Sequence, residues 1–405
     1  MAIIVQKYGG SSLGDAEKIK FVAERIVERS RESSDRIVAV CSAMADTTDD
    51  LIAMANIISH RPDQREMDVL LSTGETKACA LLAMALLEMG YPAISLTGMQ
   101  AGIHTEASYG RARISNVQPD RIKQELERGK LVIVAGFQGV TDTFDVTTLG
   151  RGSSDLTAVA LAAALSVEKC EIYTDVDGIY TADPRVVTEA RKLDEIEYAE
   201  MLELASMGAK MQPRSIELAA IYNVPVFVTS TFSHSSGTKI HGEVAMETRN
   251  RVRGVAHDLN VAKITVRRIP DRPGIAAALF EPLGNEGISV DTIVQNTGED
   301  GMADISFTVA GTDLLNAIDA IRSVADLMGT SEIVHDASLG KVSIVGTGIQ
   351  NAPGYASKMF SALAEANINI DMITTSEIRI TCIVAEHLVE QAVRTLHQAF
   401  DLHND

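Results

Sequence analysis

Two glycine-containing segments hold the residues best suited to chemistry. The first, Lys7-Tyr8-Gly9-Gly10-Ser11-Ser12, lies between an apolar strand pattern and a helix pattern. Adjacent glycines let backbone N–H groups approach phosphate oxygens, and a helix N-terminus adds partial positive charge. Lys7 could neutralise charge on a transferring phosphoryl group. A Gly-Gly turn after a strand, with a surface lysine, would have the same sequence pattern. The G-x-x-x-x-G-K-[ST] order of a P-loop is absent.

The second segment, Leu149-Gly150-Arg151-Gly152-Ser153-Ser154-Asp155, precedes an alanine-rich helix pattern. Ser154 or Asp155 is a natural N-cap for that helix, and capping alone would explain both. Arg151 lies among glycines, where a guanidinium can hold a carboxylate through two hydrogen bonds. Asp155 could orient a substrate amine, or position a lysine and metal-bound phosphate.

Three further polar segments follow apolar patterns. They are Ser42 to Asp49, Ser72-Thr73-Gly74-Glu75, and Tyr173 to Arg185. Each segment also has a purely structural explanation. Thr48 and Asp49 would cap a helix, Glu75 would lie in the first turn of a helix, and the third segment would form Asx turns. As a nucleotide loop, the third segment would place Tyr180 near the base and Arg185 near phosphates. Ligands bind beyond the carboxyl ends of parallel strands, so the loops together predict one site.

The elements that position these loops alternate between strand and helix over the first 230 residues or so. This order predicts a three-layer α/β/α domain with a mostly parallel sheet. The run from Met201 to Tyr222 is helical but should break at Pro213. The pattern lapses between about His234 and Arg251, which indicates a domain boundary. We therefore predict a catalytic domain at 1–245, a linker at 246–262, and two smaller domains at 263–340 and 341–405.

The last third contains an internal repeat. Asp271 to Asn296 aligns with Asn351 to Ser376 at a constant offset of 80, and Pro273-Gly274 matches Pro353-Gly354. Each copy follows a β-α-β-β-α-β order, which predicts two ferredoxin-like α+β modules. A duplicated module without obvious catalytic groups is more typical of a ligand sensor or a dimer interface.

Composition excludes several classes of protein. The 405 residues carry a formal net charge of -19, and no basic cluster that would bind nucleic acid stands out. Four distant cysteines and nine histidines show no metal-ligand spacing, so no metal site made of protein side chains is predicted. The N-terminus shows no targeting pattern, and the longest apolar run, Ala78 to Leu87, is shorter than the ~20 residues that span a bilayer. A cytoplasmic location is expected.

Taken in order along the chain, these motifs closely resemble those of the aspartate kinases of the amino acid kinase family. The repeated Pro-Gly modules resemble a tandem pair of ACT domains. The resemblance covers nearly the whole chain. It implies transfer of the γ-phosphate of ATP, brought with Mg²⁺, to the side-chain carboxylate of aspartate. The product would be 4-phospho-L-aspartate, the first intermediate toward lysine, threonine and methionine, formed without a covalent enzyme intermediate.

The resemblance also implies roles for matching residues. Lys7 and Asp155 correspond to the catalytic pair. Arg151 would bind the α-carboxylate of aspartate and Glu75 its α-amino group. The reacting β-carboxylate would lie near Ser42 and Thr47, and Ser154 would be a further substrate-binding residue. The ATP site would be lined by Lys7, Tyr8, Gly9, Gly10, Thr174, Asp175, Tyr180, Arg185 and Lys210.

In the repeated modules, the resemblance implies binding of lysine and threonine at ACT–ACT interfaces, with inhibition of the enzyme. The effector contacts would be Asp271, Gly274, Ala276, Asp291 and Gln295 in the first copy, and Thr375, Ser376 and Glu377 in the second. It further implies a homo-oligomer formed through the ACT domains. Met246 matches an internal start that yields a shorter regulatory subunit in some relatives, and native expression of the full-length chain alone would argue against it.

Two positions depart from the family pattern. Ser153 stands where a second glycine is usual and Leu156 where threonine is common. A serine would be strained if that position required a positive φ. Two other interpretations remain: a kinase for glutamate or acetylglutamate, and an amino-acid-binding regulator with an inactive kinase domain. The ACT-like repeat and the Ser42-Ala43-Met44 loop argue against the first. The presence of Lys7, Arg151 and Asp155 argues against the second.

Overall fold

The structure is a computed structural model that describes residues 2–33, 35–242, 252–298, 300–329, 332–349 and 353–404. Met246, the candidate internal start, lies outside the described residues, as do Asn351 and Ala352 at the beginning of the second repeat. The chain forms two compact units. The first comprises Met1–Tyr180 and Lys192–Ala245, and the second Thr181–Arg191 and Met246–Asp405.

An eight-stranded sheet forms the centre of the first unit. Its strands are β1 (Ile3–Tyr8), β2 (Arg36–Cys41), β3 (Ala93–Leu96), β6 (Leu131–Ala135), β9 (Cys170–Thr174), β10 (Glu195–Glu197), β11 (Val226–Ser230) and β12 (Thr238–His241). Their order across the sheet is β10-β12-β11-β9-β1-β2-β6-β3, and neighbouring strands are parallel except where β11 meets β12. The inner strands β1, β2 and β6 are rich in buried Val, Ile and Ala, as expected for strands covered on both faces.

Helices cover both faces of this sheet, so the predicted α/β class is confirmed. They are α1 (Ala16–Ser33), α2 (Thr47–Ile58), α3 (Gln64–Glu88), α4 (Asp120–Glu127), α5 (Ser154–Ala164), α6 (Tyr198–Ser206) and α7 (Pro213–Tyr222). The expected break at Pro213 is confirmed, because this proline occupies the first turn of α7, where its missing N–H is not needed. Cys41, Cys79, Cys170 and Cys382 are all buried, free thiols.

A second, four-stranded sheet in this unit was not predicted from the sequence. Its strands are β4 (Ile103–Thr105), β5 (Ile114–Val117), β7 (Gln138–Val140) and β8 (Val146–Thr148), in the order β5-β4-β7-β8. Each strand has only three or four residues. That length is too short for an alternating pattern to emerge from the sequence.

Within the described residues, α3 is long and apolar enough by composition to cross a bilayer, but half of its apolar window is buried. It packs against α1, β3, β6 and β8 in the first unit. Such burial is typical of the core helix of a globular domain.

The second unit contains one six-stranded antiparallel sheet in the order β14-β15-β13-β16-β18-β17. The strands are β13 (Gly254–Pro270), β14 (Ile293–Thr297), β15 (Met302–Val309), β16 (Ile333–Val345), β17 (Met372–Thr375) and β18 (Arg379–Ala385). The helices are α8 (Ile275–Asn285), α9 (Leu314–Leu327), α10 (Tyr355–Glu365) and α11 (Val389–Ala399). The duplicated α+β modules are therefore confirmed.

The two modules share their central strands, which the repeat alone did not reveal. Residues 262–270 of β13 pair with β15 in the first module, whereas residues 254–258 pair with residues 341–345 of β16 in the second. Among the described residues of the second module no strand follows α11, and the beginning of β13 pairs with β16 in that place. For this reason β13 begins inside the region predicted as a linker.

Candidate active site

Lys7 and Asp155 form an ion pair in the first unit. The Lys7 Nζ atom lies 2.7 Å from Asp155 Oδ1, and the two side chains are only 12% and 9% exposed. Lys7 is close to the carboxyl end of β1, and Asp155 is in the first turn of α5. Because side chains alternate along a strand, Lys7 points toward α5, while Tyr8 points to the opposite face, where α1 and α3 pack.

The glycines after β1 bring the backbone close to this lysine. A Cβ atom placed on Gly9 would lie 3.6 Å from Lys7 Nζ. A Cβ on Gly10 would lie 2.8 Å from the Ala43 carbonyl oxygen, too close for any side chain. The loops after β1 and β2 therefore pack backbone to backbone, as a phosphate-binding loop requires.

The Tyr8 side chain has a different position from the one that the resemblance implies. It is fully buried and stacks on Tyr173 with ring centroids 4.9 Å apart. Its hydroxyl donates to Gln6 Oε1 at 3.2 Å. Tyr8 thus belongs to the core, its carbonyl accepts a hydrogen bond from the Ser42 N–H, and its predicted role at the nucleotide stays a prediction.

Glu75 is a buried carboxylate with one oxygen available. Its Oε1 accepts a hydrogen bond from the Ala43 N–H at 3.1 Å, while Oε2 is buried without a hydrogen-bond partner among the described residues. Burial raises the pKa of Glu75 to about 7, although hydrogen bonds from the backbone act in the opposite direction. A buried oxygen of this kind needs a donor, and an incoming ammonium would supply one.

The expected first-turn position of Glu75 is wrong, because α3 begins at Gln64 and Glu75 lies well inside the helix. Gly74 explains how the helix approaches the site. A Cβ on Gly74 would lie 2.9 Å from Ala43 Cβ, so only glycine allows α3 to pack this closely on the loop after β2. The interior position removes Glu75 from solvent and is the physical reason for its raised pKa.

Ser42 and Thr47 are in the same loop after β2. The Ser42 N–H donates to the Tyr8 carbonyl at 3.0 Å, which ties this loop to the one after β1. Thr47 begins α2, and the Lys77 ammonium reaches its hydroxyl at 3.4 Å. Lys77 was not among the predicted residues, because a residue two positions after Glu75 lies on a different face of the helix.

Arg151 is exposed and forms an ion pair with Asp49. Its neighbours Gly150 and Gly152 have φ angles of +96° and +78°, which glycine adopts without strain. The Arg151 and Asp49 side chains are 74% and 56% exposed, and ion pairs this exposed contribute at most about 1 kcal/mol. A ligand carboxylate could therefore replace Asp49 on the guanidinium at little cost.

Ser153 is not strained. Its φ is -79°, and its hydroxyl donates to the Leu149 carbonyl at 3.0 Å. Ser154 is buried, and a Cβ on Gly136 would lie 2.8 Å from its Cβ and Oγ, so Gly136 provides the room that Ser154 needs. Leu156 packs with Ala112 and Leu149 in a small apolar cluster.

We expect Ser153→Gly to change kcat less than about twofold and to lower the free energy of unfolding by about 1 kcal/mol. The reasons are the loss of the hydrogen bond that Ser153 donates to the Leu149 carbonyl and of the longer one that it accepts from Gln212 Nε2, and added backbone freedom in the unfolded chain. Steady-state kinetics and urea unfolding check both values. A large gain in activity in the glycine variant would show that Ser153 does impair the site.

Several predicted nucleotide residues follow β9. Lys210 Nζ lies 2.6 and 2.8 Å from the two carboxylate oxygens of Asp175, and the Thr174 hydroxyl lies 3.1 Å from Asp175 Oδ1. Burial alone would raise the pKa of Asp175, but the hydrogen bond and charge of Lys210 outweigh it and lower the pKa. Tyr180 forms an isolated β-bridge with Lys192. Burial raises the pKa of the Tyr180 hydroxyl, and the nearby Asp177 adds a smaller effect in the same direction.

Arg185 belongs to the second unit. Its side chain is 83% exposed, and its Nη2 pairs with Asp183 Oδ2 at 2.6 Å. Its predicted role at phosphates remains a prediction. Residues that tie the nucleotide loops together were missed: the Ser12 and Thr231 hydroxyls are 2.6 Å apart, and Arg25 donates to the Thr231 and Ser233 carbonyls. Thr231 directly follows β11, so the strand-end rule could have found it.

Most of the predicted effector residues of the first ACT-like copy surround one cavity of about 350 Å³. Asp271, Gly274, Ala276 and Gln295 line it, and Gln295 Nε2 donates to Asp271 Oδ1 at 3.2 Å. Gly274, with φ +92°, opens α8 there. Asp291 does not line the cavity and forms an ion pair with Lys341.

The second set of predicted effector residues lies at the other edge of the six-stranded sheet. Thr375 ends β17, and Ser376 and Glu377 form the turn to β18, with the Ser376 N–H donating to the Arg379 carbonyl at 2.8 Å. Since β14 and β17 are the two edge strands, the two sets are separate in one chain.

In the part of the chain that the structure describes, no three His, Cys, Asp or Glu side chains are arranged to hold a metal ion. Asp155 and Asp175 are carboxylates of the predicted site, and each is already paired with a lysine. This donor set fits a Mg²⁺ ion that takes most of its ligands from nucleotide phosphates and water.

Comparison with known proteins agrees with this arrangement. The model of the amino acid kinase family matches residues 2–230, and ACT domain models match residues 263–326 and 342–400. An aspartokinase from Pseudomonas aeruginosa is 47% identical over 405 residues, covering 99% of this chain and 98% of the relative. An aspartokinase from Mycolicibacterium smegmatis is 48% identical over 412 residues, covering 100% and 97%.

A solved structure gives the same result. The fold is similar to that of E. coli aspartokinase III in complex with aspartate and ADP, with a TM-score of 0.83 and 27% identity, covering 98% of this chain and 100% of that one. With matches of this length and identity, the chain belongs to the aspartokinases, the aspartate kinases of the amino acid kinase family that carry tandem ACT domains.

Proposed function

We propose that this chain transfers the γ-phosphate of ATP to the β-carboxylate of L-aspartate and forms 4-phospho-L-aspartate. The observation that carries the proposal is the Lys7–Asp155 ion pair beside the Gly9-Gly10 backbone, together with the available oxygen of Glu75, a residue of α3 that contacts the loop after β2. The aspartate and ADP in the related E. coli structure support the same pair of ligands.

The chemistry needs little more than positioning and neutralisation of charge. The aspartate β-carboxylate has an ordinary pKa of about 3.9, so it is already an ionised nucleophile at neutral pH and needs no general base. Lys7 would neutralise the transferring phosphoryl group, and Asp155 would hold the Lys7 ammonium in place. The acyl phosphate would form directly, without a covalent enzyme intermediate.

Substrate selection would depend on the α-carbon groups. Arg151 would exchange Asp49 for the α-carboxylate, and Glu75 would accept the α-ammonium with its free oxygen. Ser42, Thr47 and Ser154 would surround the β-carboxylate. Glutamate is longer by one methylene, and N-acetylglutamate has no ammonium for Glu75, so both should be poor substrates.

ATP would bind through the Gly9-Gly10 backbone and the group formed by Thr174, Asp175, Tyr180 and Lys210, with Arg185 as a further phosphate contact. Mg²⁺ would arrive with the nucleotide and stabilise negative charge on its phosphates.

We also propose a place in metabolism and a mode of control. The product would be the first intermediate toward lysine, threonine and methionine, made in the cytoplasm. Lysine, threonine or both would inhibit through the ACT domains, and a related E. coli structure contains lysine and aspartate. The exposed side chains Ile293 and Ile373 on the edge strands β14 and β17 offer surfaces for pairing with a second chain. A shorter regulatory subunit beginning near Met246 is a further candidate partner.

A coupled assay of ADP formation tests the substrate. Aspartate, glutamate and N-acetylglutamate are compared in parallel, each with and without lysine plus threonine. We expect turnover with aspartate alone and its suppression by the two amino acids. Preferred turnover of another acid would be consistent with the fold but would contradict aspartate as the substrate. Absence of turnover together with lysine or threonine binding would favour a regulatory protein with an inactive kinase domain.

A further inference from the structure

The second unit includes a segment from the middle of the kinase sequence. Residues 181–191 pack in this unit, although the chain on both sides of them belongs to the first. The Thr181 N–H donates to the Arg191 carbonyl, and the Arg191 N–H donates to the Thr181 hydroxyl, both at 2.9 Å. Ala182 and Val187 are buried in the same core as residues of α10 and α11. This excursion of the chain, residues 181–191, is therefore an integral part of the second unit.

A cavity of about 380 Å³ lies between this excursion and the C-terminal helix α11. The excursion contributes Val186, Val187, Thr188 and Glu189, and the C-terminal region contributes Arg394, His397, Gln398 and His403. Its volume is within the range of about 300–1,000 Å³ that is typical of small-ligand sites. None of its residues lines the cavity around Asp271.

The lining of this cavity has complementary charges on its two sides. Glu189 provides a carboxylate on the excursion, and Arg394 provides a guanidinium on α11. Arg394 also contacts Glu390 at 3.3 Å, but these side chains are 52% and 64% exposed, and such a pair is easily exchanged for a better partner. Val186 and Val187 add apolar surface, and Gln398 adds an amide that both donates and accepts.

His397 connects the cavity to the rest of the excursion. It is buried, and its Nε2 lies 2.9 Å from the Thr181 hydroxyl. Burial and the nearby His403 lower the pKa of His397, while Glu189 acts in the opposite direction. The ring is therefore neutral near pH 7 and serves as a hydrogen-bonding link. Thr181 directly follows Tyr180, a predicted nucleotide residue, so a ligand that moves α11 acts on a residue adjacent to Tyr180.

We propose that this cavity is a second effector site that binds a small zwitterionic α-amino acid. Glu189 accepts hydrogen bonds from the ligand ammonium, Arg394 pairs with its carboxylate, and the two valines contact its side chain. The site is separate from the predicted effector positions at Asp271 and Thr375. Its effect on catalysis rests on the proposed function, whereas its binding of ligand does not.

The test measures binding to the full chain by equilibrium dialysis, with the proteinogenic L-amino acids offered one at a time. Glu189→Gln and Arg394→Gln alter the cavity. Glu390→Gln is the matched control on α11, and Asp271→Asn is the control for the other cavity. For at least one amino acid, we expect either cavity variant to weaken binding about tenfold or more, since each loses a charge-assisted hydrogen bond. Both controls should bind it unchanged.

Two further probes define the ligand class. One is the amine that corresponds to that amino acid without its carboxylate, and the other is the carboxylic acid without its ammonium. Both should bind at least about tenfold more weakly than the amino acid itself. Binding of inorganic phosphate alone, or amino-acid binding that survives in both cavity variants, would overturn the proposal. So would the loss of all amino-acid binding in Asp271→Asn. Circular dichroism of each variant shows whether it is folded.

The link through Thr181 has its own measurement. Thr181→Val should retain binding of the amino acid but remove its effect on turnover, and Thr181→Ser should restore the effect, because serine keeps the hydroxyl. An unchanged effect in Thr181→Val would overturn this route. If the wild-type chain showed no turnover with aspartate, the proposed function would fail, while the binding result would still decide whether the site exists.

Discussion

Asp155→Asn is expected to lower kcat by about 10³-fold or more, with the KM for aspartate changed only a few-fold. The neutral amide can still accept a hydrogen bond but has lost the charge that fixes the Lys7 ammonium, whose side chain is 12% exposed and whose Nζ lies 2.7 Å from Asp155 Oδ1. A cation placed at a transferring phosphoryl group contributes about 10³–10⁵ to kcat in other phosphoryl-transfer enzymes, and its displacement loses that contribution. Asparagine has nearly the same size as aspartate, so the packing around α5 should survive.

The measurement is a steady-state titration with ATP and aspartate for each variant. Asp49→Asn is the matched control, because Asp49 is also an aspartate at the site but is 56% exposed and contacts Arg151 rather than Lys7. It should keep kcat within a few-fold of wild type. Lys7→Met should reproduce the loss in Asp155→Asn. Full turnover in a folded Asp155→Asn variant would refute the catalytic assignment of this pair.

Glu75→Gln should have opposite effects on activity and stability. The folded-state pKa of about 7 lies above the ordinary value of 4.5, so the stability that protonated Glu75 contributes is complete below about pH 4.5 and is lost as the pH rises through 7. Glutamine has no such charge. We expect the variant to gain roughly 1–3 kcal/mol of unfolding free energy at pH 8 and little near pH 4.5. Its kcat/KM for aspartate should fall about 10–100-fold, because the charged acceptor for the ammonium is gone.

Urea unfolding at several pH values and steady-state kinetics test the two effects. Asp68→Asn is the contrast on the same helix. Asp68 is also buried, but its oxygens accept hydrogen bonds from the Gly110 N–H and from the Thr148 N–H and hydroxyl. Its variant should therefore be less stable than wild type at neutral pH. A Glu75→Gln variant that is less stable than wild type at pH 8 would show that the Glu75 carboxylate is satisfied in the unliganded protein.

The parts of the site that local sequence determines were predictable. An apolar strand followed by Lys7-Tyr8-Gly9-Gly10 indicates a strand-end loop, and Pro213 marks a helix start whatever surrounds it. The constant offset of 80 between the repeats predicted two similar modules. The first two features depend on backbone preferences over a few residues, and tertiary contacts did not override them. The repeat is visible because the two copies keep the same residues at matching positions.

The parts that tertiary packing determines were not predictable. The helix that contains Glu75 was predicted to begin too far along the chain, because its first half is polar. The approach of Gly74 to Ala43 depends on the packing of two segments that are distant in sequence. The φ of Ser153 follows from its place at the start of α5. Tyr8 and Lys7 are adjacent in sequence, but the sheet sends them to opposite faces. Residues 181–191 belong to the second unit because Ala182 and Val187 are buried there, and no local pattern specifies that partner.

The most direct test of the central claim is to trap the product. The full chain is incubated with ATP, Mg²⁺ and aspartate in the presence of hydroxylamine, which converts an acyl phosphate into a hydroxamate. The product is identified by mass spectrometry and NMR. We predict one aspartate β-hydroxamate for each ADP formed in the wild type, and essentially none with Asp155→Asn. ADP with inorganic phosphate and no hydroxamate, or the α-hydroxamate, would contradict transfer to the β-carboxylate at the Lys7–Asp155 pair.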